Sequence, residues 1–366
     1  MKNDRAWMQL AIREARKGLG RTSPNPCVGA VVVKNNRLIA TGYHHQAGTP
    51  HAEVHALRAA GEKARGATIY VTLEPCNHTG RTPPCTQAIL AGGIKRVVVG
   101  MLDPNPLVAG GGCNTLAAQG LEVTQDVLAE ECRSLNRPFI KHVTTGLPWV
   151  IMKAGMSLDG RLAIDSGQCA WITNEQSRRQ VHRLRDRVDA ILIGSETALG
   201  DDPALTTRLP GRRGRDPLRV VLDTALRLPP TAKMLQQASS APTWIFCGPD
   251  ADPQRAESLL GAGAVIKQVR LDDAGQLDLA AVLCELGRAQ LTSVLVEGGS
   301  RVHGAFLRAG LVDEVQIFVA PIFIGGDGVP LVDTLGLRTI AEAPRFSTTK
   351  VRRFGNDVLI EGLIER

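Results

Sequence analysis

The sequence predicts an α/β protein in two parts. Three observations carry that expectation. Short apolar β-branched runs alternate with helical periodicities through the first half, and a second series of buried strand patterns fills the rest. Between them lies a polar Gly/Pro joint, Thr144-Thr145-Gly146-Leu147-Pro148. The joint separates residues 1–146 from residues 147–366, and a chain of 366 residues is long for one core and comfortable for two. The halves share no motif, and no internal repeat is present.

In the first half, Arg5 to Lys17 reads as a helix with Trp7, Leu10, Ala11 and Ala15 on one face. Val28 to Val33 is a strand, Asn35-Asn36 a turn, and Leu38 to Thr41 the returning strand of a hairpin. His51 to Ala60 is a helix and Ala67 to Leu73 a strand, with Cys76 expected at the helix N-terminus that follows. Thr86 to Ala91 (helix), Arg96 to Gly100 (strand) and Thr115 to Gly120 (helix) complete a βαβ succession, which calls for a sheet containing parallel strands with helices on its faces. In the second half, Trp149 to Ala154, Ala190 to Ile193, Arg219 to Asp223, Thr243 to Cys247, Ser293 to Val296, Val315 to Ala320 and Val358 to Glu361 read as buried strands. Residues 208–217, with Arg208, Arg212, Arg213, Arg215 and Asp216, read as an exposed mobile loop.

The chemistry concentrates in His51-Ala-Glu53 and in Glu74-Pro75-Cys76-Asn77-His78-Thr79-Gly80-Arg81-Thr82-Pro83-Pro84-Cys85. A Zn²⁺ ion held by His51, Cys76 and Cys85 would keep its fourth tetrahedral position for water, as catalytic zinc does. Bound metal brings the pKa of that water toward ~7. Glu53 fits poorly as a ligand and well as the group that carries the water's proton. This is the chemistry of hydrolytic deamination of an amino-heterocycle, whose signature is H-x-E followed by P-C-x-x-C. Here eight residues, not two, separate the cysteines. The alternative is a closed structural zinc with His55, at i+4 from His51, or His78 as fourth ligand. Glu53 argues against it, since a structural site has no use for a carboxylate there. A zinc protease is excluded, because its glutamate directly follows the first histidine.

The net charge of +7 is placed unevenly: residues 1–146 hold 17 Lys and Arg against 10 Asp and Glu, residues 147–366 hold 26 against 26. The excess favours an anionic substrate in the zinc-bearing half. Strand binding needs aromatic platforms among the basic groups, and this half has only Trp7, Tyr43, Tyr70 and Phe139. A small phosphorylated molecule is therefore expected, and nucleic acid is not. No apolar run approaches the ~18 residues of a membrane span, and the N-terminus lacks a signal-peptide pattern, so a cytoplasmic protein is expected. Eight cysteines in a chain this long fit reduced thiols better than a disulfide framework.

In the second half no G-x-G-x-x-G follows a strand. Val294 to Ser300 instead runs from a strand through Gly298-Gly299 into a helix starting near Val302, a turn whose backbone N–H groups can approach a phosphate. Thr173, three residues before Gln176, resembles a capping box, so it reads as readily as a helix cap as a ligand.

Taken in order, Pro24-Asn25-Pro26-Cys27-Val28-Gly29, His51-Ala-Glu53, the Pro75 to Cys85 segment, Asp103-Pro104-Asn105-Pro106, Lys153-Ala-Gly155-Met-Ser157-Leu-Asp159-Gly160-Arg161, Trp171-Ile172-Thr173, Asp201 to Thr206 and Val296-Glu297-Gly298-Gly299 resemble the RibD family of bifunctional riboflavin-biosynthesis proteins. The resemblance covers nearly the whole chain. It implies a cytidine-deaminase-like α/β/α zinc domain over residues 1–146, followed by a dihydrofolate-reductase-like α/β domain over residues 147–366 that uses NADPH. The implied reactions are deamination of 2,5-diamino-6-ribosylamino-4(3H)-pyrimidinone 5′-phosphate, with Glu53 relaying the proton, and then reduction of the ribosyl to a ribityl chain. The implied ligands of the metal are His51, Cys76 and Cys85. Gly155, Trp171, Thr197, Asp201 and the run Gly299, Ser300, Arg301, Val302, His303, Gly304, Ala305 fall where the family meets NADPH. Asn25, Lys153, Cys169, Arg185, Leu205, Arg208 and Glu297 fall where it meets substrate; Cys169 replaces the small polar residue expected there. Lys153 and Asp201 are candidates for positioning or proton supply, and the rim of the deaminase pocket is expected from Asp103 to Pro106 and Gly110 to Gly112. A homo-oligomer, dimer or tetramer, is expected from the habits of enzymes.

Overall fold

The computed structural model describes residues 3–78, 83–105, 111–164, 171–211 and 214–365. They form two compact units, Met1–Gly146 and Leu147–Arg366.

In the first unit, helix α1 (Asp4–Ala15) is capped by Asn3, whose side chain accepts the Ala6 N–H, and it buries Trp7, Met8, Ala11, Ile12 and Ala15. Strands β1 (Gly29–Lys34) and β2 (Arg37–Tyr43) form an antiparallel hairpin. Asn35 and Asn36 turn it with φ of 51° and 57°, the pair of positive values that suits a strand-twist-matched turn. With β3 (Thr68–Val71), β4 (Arg96–Val99) and β5 (Glu122–Thr124) they make a five-stranded sheet among the described residues, in the order β2-β1-β3-β4-β5. Strand β1 is antiparallel to both neighbours, whereas β3, β4 and β5 are parallel. Helices α2 (Ala52–Ala60), α3 (Cys85–Ala91), α4 (Gly111–Ala118), α5 (Ala129–Leu135) and α6 (Arg137–Thr145) complete the unit. One core, centred on Val31, Val32, Ile69, Val97 and Val98, joins sheet and helices.

Two glycines set how closely helices approach the sheet. A Cβ on Gly29 of β1 would lie 2.1 Å from the Ala11 carbonyl oxygen of α1, and one on Gly42 of β2 would lie 2.5 Å from both Ala52 O and Ala56 N of α2. Backbone cannot yield to such contacts as a side chain would.

The second unit has strands β6 (Trp149–Ser157), β7 (Arg161–Ile164), β8 (Ala190–Gly194), β9 (Leu218–Leu222), β10 (Thr243–Cys247), β11 (Ala264–Gln268), β12 (Ser293–Val296), β13 (Glu314–Ala320), β14 (Gly328–Pro330), β15 (Phe346–Phe354) and β16 (Asp357–Ile364). Nine of them form a sheet ordered β11-β10-β9-β8-β12-β6-β13-β16-β15. It is parallel from β11 through β13 and antiparallel at β13-β16-β15. Strands β7 and β14 pair separately. The helices are α7 (Glu175–Arg185), α8 (Ser195–Asp201), α9 (Lys233–Gln236), α10 (Pro253–Gly261), α11 (Leu279–Arg288) and α12 (Ser300–Arg308).

Three local expectations change. The helix near the cysteines starts at Cys85, not at Cys76, which lies in irregular chain after β3. Pro84 bars the α region to Pro83, and Pro84 itself is the extended N-cap at φ −56° and ψ 138°, so Cys85 is the first helical residue. The cap of α7 is Asn174 rather than Thr173: its side chain accepts the Ser177 N–H, while its own N–H donates to Asp357 and its amide donates to the Phe354 carbonyl. Residues 208–217 are not simply a free loop. Arg215 donates from its backbone to Asp186 and from its guanidinium to the Val188 carbonyl, and Asp216 accepts from Thr207 and Ser239. Arg212 and Arg213 lie outside the described residues.

Gly42→Ala is expected to destabilise the chain by about 1–3 kcal/mol, the usual cost of overpacking. Denaturant unfolding checks this, and an unchanged midpoint would show that α2 can move off the sheet freely.

Candidate active sites

In the first unit, His51 is the residue before α2, held extended at φ −77° and ψ 169°, so its ring sits at the helix mouth and Glu53 falls in the first turn. Cys85 opens α3. These elements bring His51 Nδ1 to 3.2 Å from Cys85 Sγ and 3.5 Å from Cys76 Sγ, and the Cys85 N–H to 3.4 Å from Cys76 Sγ. All three donor atoms lie within 4.8 Å of one another. Tetrahedral zinc with bonds of about 2.0–2.3 Å wants its ligands roughly 3.3–3.8 Å apart, so the set fits the ion. Neither alternative fourth ligand joins it. His55 stacks on His45 with ring centroids 4.1 Å apart, and His78 is exposed.

Glu53 is 3% exposed. Burial pushes its carboxyl up to about 7, with the nearby His51 charge pulling the other way. The Cys85 thiol is raised, first by its hydrogen bond to Cys76 and then by burial. Cys76, accepting from Cys85 and facing His51, is pushed down to about 4.

Asn25 lies beside this centre through a residue that sequence reasoning missed. Its Nδ2 is 3.1 Å from His44 Nε2, His44 Nδ1 is 3.2 Å from the Pro50 carbonyl, and the His44 ring meets His51 edge-on at 5.3 Å. The Pro50 carbonyl can only accept, so His44 Nδ1 carries the proton and Nε2 accepts from Asn25. Burial lowers the His44 pKa, in keeping with a neutral ring. The available signal was the run Tyr43-His44-His45 at the end of β2, off any motif.

The stretch before Cys76 is braced by Glu74, whose carboxylate accepts the Cys113 N–H at 2.9 Å and the Asp103 N–H at 3.1 Å. A Cβ on Gly112 would lie 1.8 Å from the Pro75 carbonyl oxygen. Asp103 and Gly112 are thus placed against Glu74-Pro75, while Pro106, Gly110 and Thr79 to Thr82 fall outside the described residues.

In the second unit, the parallel register pairs Val296 of β12 with Met152 of β6, which sets Glu297 next to Lys153. Lys153 Nζ is 3.4 Å from Glu297 Oε2, and Arg185 donates to both carboxylate oxygens, at 2.8 Å from Nε and 2.9 Å from Nη2. Burial works to raise the Glu297 pKa, but Arg185 and Lys153 overcome it and hold the carboxyl well below its ordinary value. Arg185 also donates to the Thr206 carbonyl, between Leu205 and Arg208. Of the expected substrate set, Lys153, Arg185, Glu297 and the 205–208 segment therefore converge; Cys169 lies outside the described residues.

The cofactor set is only partly assembled by contacts. Gly299 ends the turn after β12 and donates its N–H to Thr197 Oγ1 at 3.1 Å, joining the mouths of α12 and α8. Helix α12 begins at Ser300, two residues before the expected start at Val302. Ser300 Oγ is buried without a partner among the described residues, at a helix N-terminus where N–H groups point outward. An acceptor-rich group such as a phosphate fits there. Val302 covers Gly194 and Gly298, Gly304 lies against the Asp333 backbone, and His303 Nδ1 meets the Leu331 carbonyl at 3.1 Å, so these three pack the helix. Arg301 is exposed and Ala305 half-buried. Gly155 lies under Thr173, where a Cβ would meet Thr173 Cγ2 at 3.0 Å. Trp171 is 74% exposed, with the Arg178 guanidinium 4.9 Å over its ring. Thr197 is in the first turn of α8, whereas Asp201 is the exposed last residue of that helix.

Residues 1–101 match the cytidine and deoxycytidylate deaminase zinc-binding region, and residues 148–360 match the RibD C-terminal domain. The riboflavin biosynthesis protein RibD of Escherichia coli (strain K12) is 43% identical over 372 residues, covering 98% of each chain. That of Aquifex aeolicus (strain VF5) is also 43% identical, over 98% of this chain and 97% of its own. The chain belongs to the RibD family. The solved structure of Acinetobacter baumannii RibD, form 1, superposes with a TM-score of 0.88 at 38% identity over 99% of both chains. A Thermotoga maritima protein described as a diaminohydroxyphosphoribosylaminopyrimidine deaminase/5-amino-6-(5-phosphoribosylamino)uracil reductase gives 0.86 at 38% identity, again over 99% of both. The architecture is the expected one for the RibD family: a cytidine-deaminase-like α/β zinc domain followed by an α/β reductase domain.

His51→Ala, Cys76→Ser and Cys85→Ser are each expected to drop the zinc content from about one ion per chain toward zero, while His55→Ala leaves it in place. Metal analysis of the purified variants decides; zinc lost in His55→Ala would restore the four-ligand arrangement.

Proposed function

We propose that the two units work in sequence on one small phosphorylated pyrimidine, the first removing ammonia and the second reducing the sugar. As a member of the RibD family the chain is an enzyme of riboflavin biosynthesis, with a zinc-binding deaminase domain and a reductase domain of the NADPH-using kind. The residue roles and the precise substrate are our inference. In it, residues 1–146 convert 2,5-diamino-6-ribosylamino-4(3H)-pyrimidinone 5′-phosphate to 5-amino-6-(5-phosphoribosylamino)uracil, and residues 147–366 reduce the ribosyl to the ribityl chain.

The observation that carries the first step is Glu53, a buried carboxyl pushed up to about 7 beside the His51, Cys76 and Cys85 donors. Zinc held by those three residues would supply a Lewis acid that renders water acidic enough to attack near neutrality. Glu53, two residues from His51 on the same helix mouth, takes a proton from that water and returns it to the leaving nitrogen, the task for which a pKa near the working pH is suited. Asn25, its amide turned by His44, orients the pyrimidine. Asp103 and Gly112, fixed through Glu74 and Pro75, shape the rim.

For the second step, Gly299 to Ala305, with Thr197 at the mouth of α8, would hold the cofactor phosphates, and NADPH would supply the hydride. Gly155, Trp171 and Asp201 complete that side. Lys153, Arg185 and Arg208 receive the sugar phosphate and neighbouring oxygens, while Glu297 keeps the first two of these cations in place. No helix among the described residues is long and apolar enough to cross a membrane; a cytoplasmic homo-oligomer, dimer or tetramer, is the setting we propose.

Glu53→Gln is expected to lower deamination by roughly 10²–10⁴-fold, the usual contribution of a positioned acid–base group. Zinc content and NADPH oxidation with the deaminated substrate stay at wild-type levels. Ammonia release and NADPH absorbance are followed on the same preparation, and normal deamination by Glu53→Gln would remove the assigned role.

A further inference from the structure

Residues Ala204 to Arg208 cross the second unit as a strap tied down along its length. Gln237 donates to the Ala204 carbonyl at 2.7 Å, Arg185 to the Thr206 carbonyl at 3.1 Å, Thr207 N–H donates to Asp216 at 2.7 Å, and Arg208 N–H donates to His182 Nδ1 at 3.2 Å. Two features bear on those bonds. Leu205, buried in the core, has φ of +52°, a left-handed conformation that is strained for a leucine and persists only when its surroundings impose it. Beyond Leu205, Thr206 to Leu209 border an open cleft of about 820 Å³ shared with Gly214 to Asp216 and Ala238 to Pro242. Along that stretch hydrogen bonds add to the anchor that Leu205 gives in the core.

Helix α7 supplies two of these ties from one face, since His182 and Arg185 are three residues apart. Arg185 already clasps Glu297. His182 appears in none of the roles described above. We propose that His182 is a positioning residue for the reductase site: as a neutral imidazole it accepts the Arg208 N–H and so sets where the Arg208 guanidinium meets the substrate phosphate. An imidazole nitrogen that accepts from an N–H carries no proton, so the proton lies on Nε2. Burial, with Arg185 and Arg208 adding repulsion, pushes the ring down to about 4, which keeps it neutral at working pH. The role of Arg208 rests on the function proposed above; the imidazole–backbone bond does not.

The test separates the two. In His182→Leu the acceptor is gone, whereas in His182→Asn the amide oxygen takes the place of Nδ1. Because the phosphate is remote from the reacting carbon, displacing Arg208 weakens ground and transition states alike. His182→Leu should therefore raise KM for 5-amino-6-(5-phosphoribosylamino)uracil about threefold to tenfold, the loss expected of one net hydrogen bond whose N–H water can then solvate. Its kcat, its KM for NADPH and the deaminase rate of the same chain stay as in wild type. His182→Asn should recover most of the loss. An unchanged KM in His182→Leu, a fall in kcat alone, or a His182→Asn variant no better than His182→Leu overturns the proposal. Should wild-type protein fail to oxidise NADPH, the proposed reduction is wrong, and the same comparison is made on the Kd for the phosphoribosyl compound by calorimetry. Should His182→Leu not fold, ¹⁵N-histidine spectra of the wild-type chain decide, with the His182 signal identified by its loss in His182→Asn. An Nε2–H tautomer supports the bond, and an Nδ1–H tautomer overturns it.

Discussion

Taking a carboxylate out of water costs several kcal/mol unless something beside it holds the charge, and the two units meet that constraint in opposite ways. Glu297 is clasped by Arg185 and Lys153, whose charges outweigh the cost of burial and keep it ionised. Glu53 has no such clasp; burial dominates and its carboxyl rises to about 7. The same side chain thus becomes a fixed anion that orders two cations in one place and, in the other, a carboxyl with the proton affinity that the proposed proton transfer needs. Environment, rather than residue type, divides the roles.

Backbone geometry creates both environments. Gly42 lets α2 lie so close to β2 that the helix mouth, with His51 and Glu53, is seated against the sheet. The register of β12 on β6 brings Glu297 to Lys153 without any loop having to reach. The turns after β8 and β12, adjacent parallel strands, are tied by the Gly299 to Thr197 hydrogen bond. Both lie at the carboxyl ends of their strands, where open α/β sheets place their ligands.

What was legible in the sequence follows the same physics. Strands buried on both faces, such as Thr243–Cys247 and Ser293–Val296, announce themselves as apolar runs and came out with their limits intact. Strand β15 did not: Phe346–Phe354 is exposed almost throughout, so Thr348, Thr349, Lys350, Arg352 and Arg353 hide its periodicity. The convergence of His51, Cys76 and Cys85, with Glu53 beside them, was legible because the expected zinc chemistry calls for rare residues at close spacing. His44 and His182 were not, since each acts through a contact made only by folding: His44 by the Pro50 carbonyl and Asn25, His182 by the Arg208 N–H. The Thr173 cap failed for a related reason. Asn174 competes for the same position, and its bonds to Asp357 and Phe354, 183 and 180 residues away, decide the contest.

The charge balance around Glu297 carries one more consequence. Lys153 and Arg185 are each less than a fifth exposed at the side chain, and they share one carboxylate. Asp216 also acts on Arg185 from a distance, but Glu297 is the carboxylate in contact with both cations, in a setting where water screens charge poorly. Arg208 lies close enough to this group for its charge to be felt at His182 together with those of Lys153 and Arg185. A purely structural ion pair would have been cheaper with one cation, or with none, because apolar residues of similar volume often replace buried pairs without loss. A cluster of this kind at the carboxyl edge of a parallel sheet is suited to receive an anion, in keeping with the proposed function. In the function proposed above a sugar phosphate brings that charge: the Arg185 guanidinium is already engaged by Glu297 and Thr206, which leaves the planar fork of Arg208 as the group suited to grip it.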